Sequence, residues 1–361
     1  MNLPKSSRYH RARRRADGAA ILAWVALLMT LLLTRASVAV RAAVNDSPAA
    51  YAAVLSILAA AVLVPFAWYR DCRLERQYGL SDVRFGGWVV ARLKAVAVVL
   101  AVAIPLAEFV YRAMRWPSVW WLVAAIGCAA VMALVTAAGP LLLMPLLHGS
   151  RPLEREVLRH RLEGLSKRAG IPVLSVHEVP LGERTRRASA ALVGAGTARR
   201  ILLSDTLLAN YTDAEIEVVM AHEIGHHVYR HLLKASVVET ILLLAGFSVA
   251  AAALDASWRW LGLASAGDPA GMPLLVLSVG GVLVTATPLV NAWSRAHERR
   301  ADRYALDMTK NAAAFNSAMK RLGAQNLAEE RPSRLVQWLF YSHPPISARL
   351  AAARAWESRQ R

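Results

Sequence analysis

Residues 218–233 read VVMAHEIGHHVYRHLL, a mostly apolar run that nevertheless carries four histidines and one glutamate. His222 and His226 are four residues apart, so on a helix both imidazoles lie on one face, about one turn from each other. Together with Glu223 they form His-Glu-x-x-His, the spacing with which two imidazoles can bind one zinc ion. Zinc lowers the pKa of its water, and a carboxylate beside the first histidine can then act as general base when that water attacks a carbonyl. The helix has a start signal, since Thr212 and Glu215 stand in capping-box spacing, and it is predicted to run through Leu233. His227 and His231 fall off the His222 face or one turn beyond it and read as helix-surface histidines.

A catalytic zinc has three protein ligands and a water, so a third ligand must come from elsewhere. The other dense polar cluster is residues 291–305, NAWSRAHERRADRYA, where Glu298 and Asp302 are again four apart and face the same way. Glu298 suits the third ligand, and Asp302 can accept a hydrogen bond from a ligating histidine and so hold its tautomer. Without a metal the pair would be ordinary solvated charges among arginines.

The elements that must position these residues are set by a very apolar composition. Of 361 residues, 56% are hydrophobic, against about 45–50% in ordinary soluble chains, and the mean hydropathy is +0.34. Apolar stretches at 19–34, 51–69, 95–111, 119–147, 235–254 and 274–290 predict six membrane-spanning helices, with Arg92 and Lys94 placed to snorkel. Net charge is +18, but the lysines and arginines flank the spans without interleaved aromatics, a positive-inside pattern and no signal for nucleic acid. The basic arm SSRYHRARRR is expected on the cytoplasmic side. Residues 70–84, 148–234 and everything after 290 then share that side, while the turn at Trp116 and the loop with Asp255, Arg259 and Asp268 lie outside. The His222 helix and the Glu298 cluster, two spans apart, therefore emerge on the same membrane face. The basic start, the first apolar run and the small residues at 38–43 also resemble a signal peptide, whose removal would leave the remaining orientation unchanged. Trp116, Trp120 and Trp121 fit an interfacial belt, and Glu239 sits close enough to the cytoplasmic boundary to reach water. Cys72 and Cys128 make neither a disulfide framework nor a thiolate metal site.

Between 148 and 208 lies a hydrophilic insert with a predicted amphipathic helix at 152–169 and short strands at 173–179 and 200–203. It reads as a small cytoplasmic α/β cap whose edge strand an extended substrate can join. No repeat, P-loop or dinucleotide fingerprint occurs. The fold expected is mainly α, a multi-pass helical membrane protein of about six spans with a small cytoplasmic α/β insert and an active-site helix carrying His-Glu-x-x-His. Its divisions are residues 1–48, the basic arm and first span; 49–147, spans two to four; and 148–361, the peptidase part with spans five and six.

These segments resemble the Ste24-type (M48) membrane zinc metalloproteases, which process CAAX-type prenyl proteins in eukaryotes. The likeness rests on RLERQYGLS at 73–81, GAGTARRILLSDTLL at 194–208, His222-Glu223-x-x-His226, Ser294-Arg295-x-x-Glu298-x-x-x-Asp302, and Ser342-His343-Pro344-Pro345 followed by Arg349. The resemblance implies a membrane-embedded helical chamber, with zinc held by His222, His226 and Glu298. It also implies Glu223 as general base, Asp302 as support, and His343 stabilising the oxyanion or binding substrate. By the bare sequence His343 is a turn histidine before two prolines. Two departures stand out: Ser189-Ala190 replaces the Asn-Ala usual before the segment at Gly194, offering one hydroxyl instead of an amide, and six spans are expected where eukaryotic members carry seven.

The function expected is a zinc endopeptidase acting on membrane-associated or membrane-inserted protein or peptide substrates, one Zn2+ per chain. Its place is the bilayer, in a bacterial inner membrane, with the active site on the cytoplasmic side. An HtpX-like quality-control protease is the alternative, and a membrane scaffold or transporter the alternative of another class. A structural site, though, has no use for the base Glu223.

Overall fold

The computed structural model describes residues 4–182, 186–194, 196–329 and 331–360; the side chains of residues 137–148 and 197 lie outside the description. Helix α1 (Lys5–Leu33) carries the basic arm and the first apolar run without a break. A left-handed Arg35 turns the chain into the short α2 (Ala36–Ala43), which the sequence pattern did not reveal. Helix α3 (Pro48–Trp68) starts with Ser47 capping the Ala50 N–H, and passes through a π-helical turn (Tyr69–Leu74) into α4 (Glu75–Gln77). Helices α5 (Phe85–Ala113) and α6 (Trp120–His148) follow.

Among the described residues, five helical segments are long and apolar enough to cross a membrane: Lys5–Leu33, Pro48–Gln77, Phe85–Ala113, His231–Ser257 and Pro269–Thr309. The remaining expected span is α6, whose described apolar part is Trp120–Thr136. In α5 no residue of the 18-residue apolar window is buried by the protein. Such a surface is stable only where lipid covers it, so the chain is an integral, multi-pass membrane protein. Trp120 departs from the expected belt: it is buried and meets Phe247 edge-on, inside the core shared by α6 and the fifth span.

The insert comprises β1 (Arg151–Pro152), α7 (Glu156–Arg168), β2 (Ser175–Val179), β3 (Ala190–Val193), β4 (Arg200–Ser204) and α8 (Asp205–Asn210). The sheet order is β1-β2-β4-β3, with β2 and β4 parallel and the outer pairs antiparallel. The expected strands are β2 and β4; the two edge strands escaped notice, the two-residue β1 and β3, an Ala-Ala-Leu-Val segment with weak β-propensity.

Helix α9 (Asp213–Val228) is the core of the domain. Its Ile216, Met220 and Ile224 are buried with Leu158 and Leu162 of α7, Ile201 and Leu203 of β4, and Phe315 of α12 (Ala312–Gln325). The predicted capping box is formed, Thr212 accepting from the Glu215 N–H while Glu215 accepts from the Thr212 N–H. The helix does not continue through Leu233: Arg230 is left-handed (φ 53°) and α10 (His231–Ser257), the fifth span, begins anew. After an outer loop comes α11 (Met272–Thr309), in which the sixth span and the Glu298 segment are one unbroken helix. Helices α13 (Arg334–Phe340) and α14 (Ile346–Ser358) close the chain.

Candidate active site

Helices α9 and α11 cross at a glycine. A Cβ on Gly225 would lie 3.3 Å from the Cα of Ala301 and 3.2 Å from the ring of Tyr304, so the bare backbone lets the two helices touch between His222 and His226. That contact brings together residues 76 positions apart. His222 Nε2 lies 3.1 Å from His226 Nε2, and the Glu298 carboxylate is 3.5 Å from the first and 3.3 Å from the second. A tetrahedral ion with ligands at about 2.0–2.1 Å has edges of about 3.3–3.4 Å between them, so this triangle fits a zinc-sized ion and two imidazoles plus a carboxylate suit its chemistry. Among the described residues, this is the group of histidine and acidic side chains able to hold a metal.

Around the triangle stands a second layer. Asp302, one turn after Glu298 and buried, lies 2.9 Å from His222 Nδ1, as the four-residue spacing anticipated. Burial lowers the pKa of His222, but the hydrogen bonds to Asp302 and Glu298 outweigh it and raise it to about 9. Arg349 of α14 donates from Nε to Asp302 Oδ2 at 2.8 Å and from Nη2 to Oδ1, a buried bidentate pair that holds the aspartate in place. The sequence named Arg349 only as part of a motif; its role follows from the fold.

His231 corrects the expectation of a surface histidine. It is buried, its Nδ1 is 3.0 Å from His226 Nδ1, and its ring stacks on His297 at 4.1 Å. The chain break at Arg230 accounts for this, because α10 starts in a new direction and carries His231 back under α9. His227 also differs from expectation, its Nε2 bonding the Leu192 carbonyl of β3 at 2.9 Å and so fastening the sheet edge to the site helix. Glu223 is half-exposed on α9, near enough for its charge to favour the protonated Arg349. His343 is 66% exposed at its side chain and places Nδ1 2.8 Å from Glu298 Oε2. His222, His226, Glu298, Asp302, His343 and Arg349 thus meet at one locus, with Glu223 on the same helix, while Ser189 lies at the lead into β3 with its N–H donated to Ser204 Oγ.

The description "Peptidase family M48" matches residues 152–357, and "CAAX prenyl protease N-terminal, five membrane helices" matches residues 4–149. The chain belongs to peptidase family M48. As an M48 chain it is a membrane metalloendopeptidase, and the scaffold or transporter reading falls away. It is 28% identical over 310 residues to the uncharacterized metalloprotease YhfN of Bacillus subtilis, covering 84% of this chain and 72% of that one. To CAAX prenyl protease 1 of Saccharomyces cerevisiae it is 26% identical over 322 residues, covering 83% and 70%. The fold of this M48 peptidase is that of S. mikatae Ste24p, with a TM-score of 0.84 at 22% identity over 97% of this chain and 88% of the other.

Proposed function

We propose that this M48 peptidase is a zinc-dependent endopeptidase that cleaves membrane-associated or membrane-inserted proteins on the cytoplasmic side of a bacterial inner membrane. The observation that carries this reading is the triangle of His222, His226 and Glu298 at 3.1–3.5 Å, with Glu223 on the same helix. His222, His226 and Glu298 would hold the ion, which when bound supplies Lewis acidity and lowers the pKa of its water. Glu223 takes the proton of the attacking water and passes it to the departing amide nitrogen. Asp302 keeps His222 in the tautomer that leaves Nε2 free for the metal, since Nδ1 is turned to its carboxylate. His343, exposed at the rim beside Glu298, donates to the oxyanion or to the substrate backbone.

An extended substrate is expected to pair with β3, the edge strand packed against α9. His227 already occupies the Leu192 carbonyl and Ser204 takes both the N–H and the C=O of Ser189, so the pairing would run over the part of β3 at Ala190. The cytoplasmic placement is supported by basic residues concentrated at the start of α1 and in the insert.

The test is zinc per chain in detergent-purified protein, wild type against Glu298→Ala, with Glu223→Gln as the inactive control. Cleavage is followed with quenched fluorogenic peptides ending in a CAAX sequence, with and without a farnesyl group on the cysteine. About one zinc in the wild type, lost in Glu298→Ala, is the expected result; a folded wild type that takes up no zinc after reconstitution would end the reading.

A further inference from the structure

The first turns of α1 reach across the whole chain to the segment that carries His343. Arg14 Nη1 donates to Glu329 Oε2 at 3.1 Å, and the same oxygen accepts from the Tyr341 hydroxyl at 2.7 Å. One turn earlier, His10 Nε2 meets the Leu327 carbonyl at 2.9 Å. Arg14 and His10 lie 315 and 317 residues from these partners in the sequence, and the Arg14–Glu329 pair is largely shielded, at 21% and 12% side-chain exposure. Pairs of that kind keep their strength far better than exposed ones.

Tyr341 is the point at which this tie bears on the site. Its backbone carbonyl accepts from Arg295 of α11, one turn before Glu298, and its hydroxyl is fixed by Glu329 beside Arg14. Two residues later, His343 stands 2.8 Å from Glu298 with no helix of its own to hold it. Tyr341 is therefore the last residue anchored through both backbone and side chain before His343. Glu329, which fixes that hydroxyl, is itself paired with Arg14 of the arm, a residue that positive-inside topology alone would leave as solvated charge.

We propose that Arg14, acting through Glu329 and Tyr341, is a positioning residue for His343, so that the basic start of α1 is part of the support of the active site. This rests on the role assigned above to His343. The reach required is short, and a shift of about 1 Å at a group that meets the transition state is enough to cost about a hundredfold in rate.

A double-mutant cycle between Arg14 and His343 tests the proposal, with kcat and KM measured on the quenched CAAX-terminated peptide and zinc per chain measured alongside. His343→Ala is expected to lower kcat strongly. Arg14→Ala should lower kcat five- to twentyfold with KM within twofold and zinc unchanged, and should have less than a twofold further effect in the His343→Ala background. Tyr341→Phe, which deletes one hydroxyl, repeats the test should Arg14→Ala fail to fold, and the same non-additivity is expected. Arg11→Ala removes an exposed charge from the same arm and should leave kcat unchanged. An Arg14 effect that persists in full without His343, or no effect of Arg14→Ala and Tyr341→Phe while His343→Ala is impaired, would overturn the tie. Full activity in His343→Ala would instead remove the role of His343 itself, and the proposal with it.

Discussion

His231 Nδ1 stands 3.0 Å from His226 Nδ1, on the side of the ring opposite the nitrogen that faces His222 and Glu298. With His226 Nε2 left free for a metal, Nδ1 keeps the ring proton and donates a hydrogen bond to His231 Nδ1. His231 is kept in place by stacking on His297 with ring planes 10° apart. Removing such a partner of a ligating histidine weakens metal binding by about 10–100-fold. His231→Ala is expected to lose zinc to a chelator at a correspondingly lower concentration than wild type. Equal chelator sensitivity in a folded variant would show that His226 needs no such partner.

The crossing of α9 and α11 at Gly225 sets how closely the two ligand-bearing helices approach. Gly225→Ala gains helix propensity of about 1 kcal/mol but forces a Cβ to within 3.2–3.3 Å of Tyr304 and Ala301. Overpacking of this kind costs about 1–3 kcal/mol, so the balance is mildly unfavourable for alanine and clearly so for valine. Gly225→Val should separate His222 and His226 from Glu298 and lower zinc affinity by more than about tenfold. Isothermal titration with zinc on the metal-free protein measures it. A Val variant that binds zinc as wild type does would mean the helices are not held apart by that side chain.

Much of this was legible in the sequence because it depends on spacing along single helices. His222, Glu223 and His226 needed only the helical repeat, as did Glu298 with Asp302, and the capping box fixed the start of α9. Apolar length marked five of the six expected spans in full and the remaining one, α6, through its described apolar part Trp120–Thr136. What escaped depends on chain direction and distant contact. The left-handed Arg230 ends α9 and turns His231 inward, yet arginine gives no signal for that conformation as glycine or asparagine would. Strand β3 is Ala-Ala-Leu-Val, too short and too alanine-rich for alternation to show. Arg349 could be quoted from a motif, but its buried pairing with Asp302 exists only once α14 is packed beside α11. The reach of Arg14 to Glu329, 315 residues on, lies beyond any local pattern.

Acid stability should depend on Glu215. Burial would raise its pKa, but hydrogen bonds from Ser317 and from the Thr212 N–H and hydroxyl, with the charge of Arg321, hold it below the usual glutamate value. A depressed carboxylate contributes stability that is present above its unfolded pKa of about 4.3 and is lost as pH falls through the folded value. Glu215→Gln should destabilise the protein at pH 7 by about 1–3 kcal/mol, and the gap to wild type should narrow below about pH 4. Thermal unfolding in detergent at several pH values reads this. A gap independent of pH would place the effect in the shape of the capping box and not in its charge.

Zinc uptake should compete with a proton at His222. In the metal-free site its pKa, lowered by burial but raised further by Asp302 and Glu298, stands at about 9, so at neutral pH the ring holds both protons. A metal ligand must be neutral, so binding has to expel one of them. Apparent zinc affinity is therefore expected to rise by about tenfold per pH unit from this proton alone between pH 7 and 9, then to level off. The same raised pKa means that the stability this pair gives the metal-free protein is full below the ordinary histidine value and is lost as pH rises through about 9. Stripping zinc with a chelator should hence destabilise the protein more at pH 9 than at pH 7. Asp302→Asn removes the first-named acceptor and should flatten the slope while weakening zinc binding overall. A zinc affinity flat from pH 7 to 9 in wild type would show that His222 is neutral before the metal arrives, and that Asp302 orients the ring without holding its proton.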